Sequence, residues 1–268
     1  MVSPDALESL LKRDRLIVAA GLLGIVLLAW IYTLAGVGMG MNAWEMTAMT
    51  PLPGQQSSMM MQSAVWSFGY AALMVAMWWV MMVAMMLPSA APMILLFAHV
   101  HRQKPDQTSP AVPVGIFVLG YLVVWALFSV LATGLQWLLQ QSELISPMLN
   151  STSQLLGGGL LIAAGLYQLT PLKQACLKHC RTPFSFVMQH WRQGNAGAFV
   201  MGLEHGAFCL GCCWILMALL FVGGVMNLYW IAGLALFVLL EKTIPRGHRV
   251  GMATGILLVI WGVVLIRM

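Results

Sequence analysis

One stretch in the C-terminal third of the chain places a histidine, an acid and three cysteines inside an apolar segment. It runs from Glu204 to Cys213 and reads Glu-His-Gly-Ala-Phe-Cys-Leu-Gly-Cys-Cys. On a helix that turns by about 100° per residue, His205, Cys209 and Cys212 fall within about 60° of one another, with Cys213 at the edge of that sector. Ionisable groups at membrane depth are costly and indicate function. Thiolate and imidazole side chains bind soft metals such as Cu(I), and they also bind zinc.

We therefore expect His205, Cys209, Cys212 and Cys213 to form the principal metal site, with Cu(I) as the ion and zinc as the weaker candidate. Glu204 is expected either to orient a ligand and carry a proton during metal binding, or to pair with a basic residue near the cytoplasmic face. One alternative is thiol–disulfide redox chemistry at Cys209 and Cys212, which helical geometry permits only with distortion. A further alternative is a structural subunit whose thiols are packing residues.

A second group of soft ligands precedes this stretch. Cys176 and Cys180 are four positions apart, so their thiols meet on one helix face, and His179 lies beside them. The segment 172–195 is thus predicted to be a cytoplasmic Cys/His loop, with an interfacial amphipathic helix, from which an ion leaves the protein. His179 is expected to support the two thiols. The alternative is a loop whose cysteines are reduced and incidental.

Methionine is over-represented, with 22 in 268 residues, and seven of them lie in the segment 36–65. A thioether is a neutral, soft ligand that suits Cu(I) better than Zn(II). Proline and glycine in this segment predict an irregular loop, which has little core for methionine to fill. We expect this loop to lie outside the cytoplasm and to capture copper. Its densest ligands are Met39, Met41, Met59, Met60 and Met61.

More methionines follow in the next apolar segment. Met74, Met77, Met81 and Met85 lie within about 80° of one another on a helix. A second line, formed by Met82, Met86 and Met93, is about 100° away. One interpretation is a ladder of thioethers that passes a soft ion along the bundle. The alternative is packing, because methionine fills irregular gaps between helices.

The composition indicates an all-α, polytopic transmembrane bundle that forms one domain, 1–268. Hydrophobic residues make up 60% of the chain and charged residues 8%. Apolar runs long enough to span a bilayer predict about seven spans. They lie near 15–35, 66–87, 112–139, 154–171, 197–223, 226–241 and 250–267. The segment Ile94–His101 is expected to extend the second helix beyond Pro88 and Pro92. Six spans with one re-entrant segment is the alternative.

The basic residues predict the orientation of these spans. All lysines and arginines except Arg267 fall before the first span or in alternate loops, on one side. The positive-inside rule puts that side, and the N-terminus, in the cytoplasm of a bacterial inner membrane. The net charge of +5 is this topology signal and implies no nucleic-acid partner. The first apolar run is expected to be a signal anchor rather than a cleaved signal peptide.

The sequence gives no indication of an enzyme. It contains no nucleophile elbow, phosphate-binding loop, dinucleotide fingerprint or zinc-protease motif. Only eight residues are acidic, and no pair of carboxylates suits general acid–base hydrolysis. We expect a metal ion and the lipid bilayer to be the partners of the chain.

With these residues identified, the chain resembles a bacterial family of multi-span proteins described as predicted metal-binding integral membrane proteins, some of them labelled copper chaperones. The resemblance covers roughly 70–245. It rests on the run Trp79–Pro88, on Gly165–Lys173 with the two cysteines that follow, on His190–Arg192 and on Gly202–Trp214. It implies copper binding, and a metallochaperone or cuproenzyme as partner. Transport or delivery through the bundle is the function that the residues and the resemblance together predict.

Overall fold

A computed structural model of the chain describes residues 4–37, 40–49, 65–102, 111–146, 149 and 151–268. These residues form helices with no strand beyond an isolated bridge between Ile145 and Ser151. The all-α prediction is therefore confirmed. The helices are α1 (Pro4–Ala35), α2 (Ala43–Met49), α3 (Phe68–Arg102), α4 (Ala111–Gln141), α5 (Gln154–Gln168), α6 (Pro171–Arg181), α7 (Pro183–His190), α8 (Gly194–Ala218), α9 (Leu220–Gly223), α10 (Leu228–Thr243) and α11 (Gly247–Arg267).

Within the described residues, five helical segments are long and apolar enough to cross a membrane. They are Arg15–Ala35, Phe68–Arg102, Ala111–Gln141, Gly194–Gly223 and Gly247–Arg267. The pair α5 and α6 qualifies only when both helices are taken together, which raises the number to six. Helix α10, at 16 residues, is shorter than the other candidates. The expected count of about seven spans and the cytoplasmic N-terminus therefore stay predictions.

Helices α5 and α6 meet at a sharp bend of 65°. Thr170 caps α6, because its hydroxyl accepts a hydrogen bond from the backbone N–H of Lys173 at 3.3 Å. Pro171 follows at the first helical position, where its missing N–H costs nothing. The bend turns α6 toward α8, so the predicted Cys/His loop 172–195 is instead largely the two short helices α6 and α7.

Glycines bring α4 and α8 into close contact. A Cβ atom on Gly120 would lie 2.3 Å from the carbonyl oxygen of Phe199, and one on Gly202 would lie 2.1 Å from that of Phe117. Such contact between backbones is how small residues pack transmembrane helices. It sets the distance between the cysteines of α8 and the side chains of α4. Gly158 and Gly262 do the same between α5 and α11.

Helices α3 and α8 form the interior of the bundle. In each, 67% of the most apolar stretch is buried, compared with 22% in α1. Helix α3 is continuous from Phe68 to Arg102 although Pro88 and Pro92 lie within it, so the predicted extension over Ile94–His101 is confirmed. The two helices with the most soft ligands are thus also the two most buried spans.

The segment 36–65 is helical in one part that we expected to be irregular. Asn42 and Glu45 form a reciprocal cap that starts α2, with hydrogen bonds of 2.8 Å and 3.1 Å between each side chain and the other backbone N–H. The hydroxyl of Thr47 accepts a hydrogen bond from the N–H of Leu228 at 2.9 Å, which attaches α2 to the start of α10. Met41 is partly buried. Met39, Met59, Met60 and Met61 lie outside the described residues.

Candidate metal centre

Helix α8 presents three buried thiols, as its spacing predicts. Cys209, Cys212 and Cys213 have exposed fractions of 0%, 1% and 0%. The thiols of Cys212 and Cys213 both donate to the backbone carbonyl of Cys209, at 3.0 Å and 2.9 Å. Both sulfur atoms are therefore turned toward the helical turn that carries Cys209. All three thiols are free.

A fourth thiol reaches this group from α6. The buried thiol of Cys180 lies close to the thiols of Cys209 and Cys212. Cys176 lies on another part of α6, where its sulfur would be 2.8 Å from a Cβ atom on Gly211. The separate inner site expected from Cys176 and Cys180 stays a prediction. We call Cys180, Cys209, Cys212 and Cys213 the thiol cluster.

Two further side chains converge on the thiol cluster. The ammonium of Lys242, on α10, donates to the sulfur of Cys209 and to the hydroxyl of Ser89, both at 3.0 Å. The hydroxyl of Tyr121, on α4, lies 3.1 Å from the same sulfur. It also donates to the carbonyl oxygen of Met86 at 3.2 Å. Helices α3, α4, α6, α8 and α10 therefore meet around the thiol cluster.

The methionines of α3 lie in the core, and one of them contacts a cysteine of α8. Met74, Met77, Met81 and Met85 are all buried, as are Met82, Met86 and Met93. The thioether of Met86 lies 3.8 Å from the thiol of Cys213. The contact is made by the second methionine line rather than by the one that contains Met85. The sulfur of Met74 accepts a hydrogen bond from the Gln136 side chain at 3.5 Å, farther along α3.

His205 occupies an aromatic environment one turn before Cys209. Its ring centroid lies 5.5 Å from that of Phe186, 5.8 Å from that of Tyr121 and 6.1 Å from that of Phe117. The side chain is buried, and its Nδ1 atom has no hydrogen-bond partner. An imidazole nitrogen without a partner is a potential ligand close to the thiol cluster. That His205 is a metal ligand stays a prediction.

Glu204 pairs with a basic residue of the segment before α8. Its carboxylate accepts a hydrogen bond from the guanidinium of Arg192 at 2.7 Å, and the two side chains are 26% and 54% exposed. Of the two roles expected for Glu204, the structure thus shows pairing with a basic residue. An exposed pair of this kind contributes little to stability.

Two charged residues of α10 were not expected to serve the site. Glu241 and Lys242 are adjacent in sequence but do not pair with each other. Glu241 binds the ammonium of Lys173 through both carboxylate oxygens, at 2.6 Å and 2.8 Å, and both side chains are almost fully buried. Lys242 is therefore directed to the cysteines. The signal in the sequence was an acid and a base at the end of an apolar helix, where ionisable groups are costly.

The donor atoms near Cys209 suit a soft ion but are not arranged as a finished site. Within the described parts of the chain, no three His, Cys, Asp or Glu side chains surround a common position that a metal ion could take. The ammonium of Lys242 is instead the cation that lies beside Cys209. The cluster provides thiols and one thioether, which are the ligands that Cu(I) prefers. Metal binding there requires that these side chains rearrange.

Comparison with known proteins gives one match. A family model described as "PpoB2: Copper chaperone" matches residues 75–265, which is more than half of the chain and includes every residue of the thiol cluster. No curated protein and no solved structure matches the chain. The matched stretch begins after the segment 36–65, so the methionine-rich segment is not part of it.

Proposed function

Since the chain belongs to the PpoB2 copper chaperone family, we propose that it is a multi-span protein of the bacterial inner membrane that binds Cu(I) at the thiol cluster and delivers it to a partner protein. The family supports a copper-related role, and the membrane location is supported by five helices of the described residues that are long and apolar enough to cross a bilayer. The ion is cargo here, so the chain binds and releases it and catalyses no reaction. The partner is a metallochaperone or an assembling cuproenzyme.

The contact between Met86 and Cys213 is the observation that carries this proposal. At 3.8 Å, it brings a thioether of α3 against a thiol of α8 in the buried core. A packing role explains buried methionines and buried cysteines separately, but it does not require the two kinds of sulfur to meet. A path for a soft ion requires this contact. Met86 would pass the ion from the methionines of α3 to the thiol cluster.

The methionines of the segment 36–65 would capture the ion outside the cytoplasm. A thioether keeps its affinity for Cu(I) where thiols are oxidised to disulfides. The described part of this segment lies against α10, through the hydrogen bond between Thr47 and Leu228. The ion would then reach Met74, Met77, Met81 and Met85 before Met86. This order makes the segment the entrance and the thiol cluster the interior site.

Lys242 would balance the charge of the loaded cluster. Two thiolates and one Cu(I) carry a net negative charge, which is costly in a buried site without a compensating cation. The ammonium of Lys242 is already within 3.0 Å of the Cys209 sulfur. It must shift to admit the ion, but it stays beside the thiolates because it is carried by α10 and bonded to Ser89.

The test is anaerobic loading of the detergent-purified protein with Cu(I), followed by elemental analysis. The wild type is compared with the triple variant C209S/C212S/C213S, and C176S serves as the control that loses one thiol outside the cluster. We expect the wild type and C176S to retain copper and the triple variant to lose it. A triple variant that retains all of its copper would refute the thiol cluster as the site.

The same preparation also tests the redox alternative. Thiol titration before and after mild oxidation counts the cysteines that form a disulfide reversibly. If the wild type retains no copper and Cys209 and Cys212 cycle between thiol and disulfide, the chain is a redox protein and the copper proposal is wrong. If it retains no copper and does not cycle, the cysteines are packing residues.

A further inference from the structure

Two histidines form a close pair where α6 and α7 end. The ring centroids of His179 and His190 are 6.1 Å apart, and their planes are inclined by 76°. Both side chains are half-buried, so the rings border both the bundle and its surroundings. From the sequence, His179 is expected only to support the neighbouring thiols, and no role is expected for His190. The pair results from the turn between α6 and α7.

The hydrogen bonds of the two rings set the same tautomer. The Nδ1 atom of His179 lies 2.9 Å from the carbonyl oxygen of Ala175, and that of His190 lies 3.2 Å from the carbonyl oxygen of Phe186. A carbonyl oxygen only accepts, so Nδ1 carries the proton in both rings. In the neutral ring, the lone pair is then on Nε2. A backbone carbonyl that holds Nδ1–H is the usual support of a histidine that binds a metal through Nε2.

Aromatic stacking holds both rings in place. His179 stacks on Phe208 with a centroid distance of 4.1 Å and an angle of 2° between the planes. His190 stacks on Phe186 at 4.6 Å and 13°. With one hydrogen bond and one stacked face each, the imidazoles lose little freedom when they bind a ligand. Such preorganisation is what distinguishes a binding pair from two histidines that happen to be close.

From this geometry we propose that His179 and His190 bind one Cu(I) ion between their Nε2 atoms. Bonds from metal to imidazole are about 2.0 Å long, so the centroids of two rings that share an ion are about 5 to 6.5 Å apart. The observed 6.1 Å lies in that range. Two neutral nitrogen ligands suit a monovalent soft ion, whereas Zn(II) in proteins takes four ligands. The identity of the ion rests on the proposed function, and the existence of the pair does not.

The pair is placed to exchange the ion with the thiol cluster. Residue 180, next to His179 on α6, is a member of the cluster, and its thiol faces Cys209 and Cys212. Phe208, on which His179 stacks, precedes Cys209 on α8. On α6, His179 is followed directly by a cysteine of the cluster. On α8, the phenylalanine that stacks on His179 is also followed directly by a cysteine of the cluster. The pair is the site near the surface of the bundle through which Cu(I) leaves the interior, on the predicted cytoplasmic side.

The test uses X-ray absorption at the copper edge on the full chain, loaded anaerobically with increasing Cu(I). We expect the first ion to show sulfur ligands and the next to show imidazole nitrogen. The variant H179Q/H190Q should lose the nitrogen-ligated ion and keep the sulfur-ligated one, which shows that the fold is intact. The control H248Q removes an exposed histidine at the start of α11 and should lose neither. The single variants H179Q and H190Q should each lose the nitrogen-ligated ion.

The outcomes distinguish a failure of the histidine-pair proposal from a failure of the thiol-cluster proposal. If H179Q/H190Q retains the nitrogen-ligated ion, the histidine pair is not the site. If the wild type never shows sulfur ligands but loses its nitrogen-ligated ion in H179Q/H190Q, the pair stands and the thiol cluster is wrong. If the double variant loses both ions, the single variants decide, because each must keep the sulfur-ligated ion for the inference to hold.

Discussion

The ammonium of Lys242 lies 3.0 Å from the thiol sulfur of Cys209, in the buried centre of the bundle. The adjacent acid, Glu241, is engaged by Lys173 on the other side of α10. Lys242 instead donates hydrogen bonds to this thiol and to the hydroxyl of Ser89. A cation is thus already placed where a thiolate-bound metal would need its charge balanced.

Replacement of Lys242 by glutamine should weaken Cu(I) binding. The variant K242Q removes the compensating cation, and a hydrogen bond to a charged group is worth about 1.5–3 kcal/mol, which corresponds to a loss of about tenfold or more in affinity. Affinity is measured by competition with a chromogenic Cu(I) chelator. The control is K178Q, an exposed lysine of α6. Equal affinity in K242Q and the wild type would exclude charge compensation.

Removal of the thiol of Cys180 should affect copper binding more than removal of the thiol of Cys176. The two residues are four positions apart on α6; the thiol of Cys180 lies close to both Cys209 and Cys212, whereas that of Cys176 lies against Gly211. We expect C180S to bind Cu(I) less tightly and C176S to match the wild type in the same competition assay. The reverse order would show that Cys176, which lies against Gly211, is the ligand.

The sequence predicted the helices and the donors of α8 because both depend on spacing along one chain segment. His205, Cys209 and Cys212 share a face by helical geometry alone. The convergence on Cys209 depends on tertiary packing instead. The bend after α5 brings Cys180 to α8, and the pairing of Glu241 with Lys173 frees Lys242 for the cluster. Helical spacing separates the two methionine lines but does not show that the line of Met86 faces Cys213.

The buried ion pair between Lys173 and Glu241 should behave as a unit. The variant K173M leaves an unpaired buried carboxylate, which costs about 3–5 kcal/mol and should lower the thermal midpoint. The double variant K173M/E241L removes both charges and should recover most of the loss. The midpoint is measured with a thiol-reactive fluorophore, since the cysteines of α8 become accessible only on unfolding. A double variant less stable than K173M would contradict this account.

A methyl group on Gly120 should disturb the packing of α4 against α8. Its Cβ atom would lie 2.3 Å from the backbone oxygen of Phe199, which cannot move without the helix. Overpacking of this kind costs about 1–3 kcal/mol, so G120A should lower the thermal midpoint. The control is G134A in the same helix, where nothing lies within 4 Å of the added atom. Because Tyr121 follows Gly120, G120A should also weaken Cu(I) binding.

Substitution of leucine for Met86 should separate the packing role of this methionine from its role as a ligand. Leucine has nearly the same volume, so M86L should cost less than about 1.5 kcal/mol in stability and leave the thermal midpoint close to that of the wild type. It removes the thioether that lies 3.8 Å from Cys213, which is the step from α3 to the thiol cluster. We expect slower transfer of Cu(I) from a chromogenic complex into the cluster, measured by stopped flow. The control M226L replaces a buried methionine outside α3 and should transfer at the wild-type rate. An unchanged rate in M86L would leave packing as the only role of Met86, and copper would have to reach the cysteines by another path.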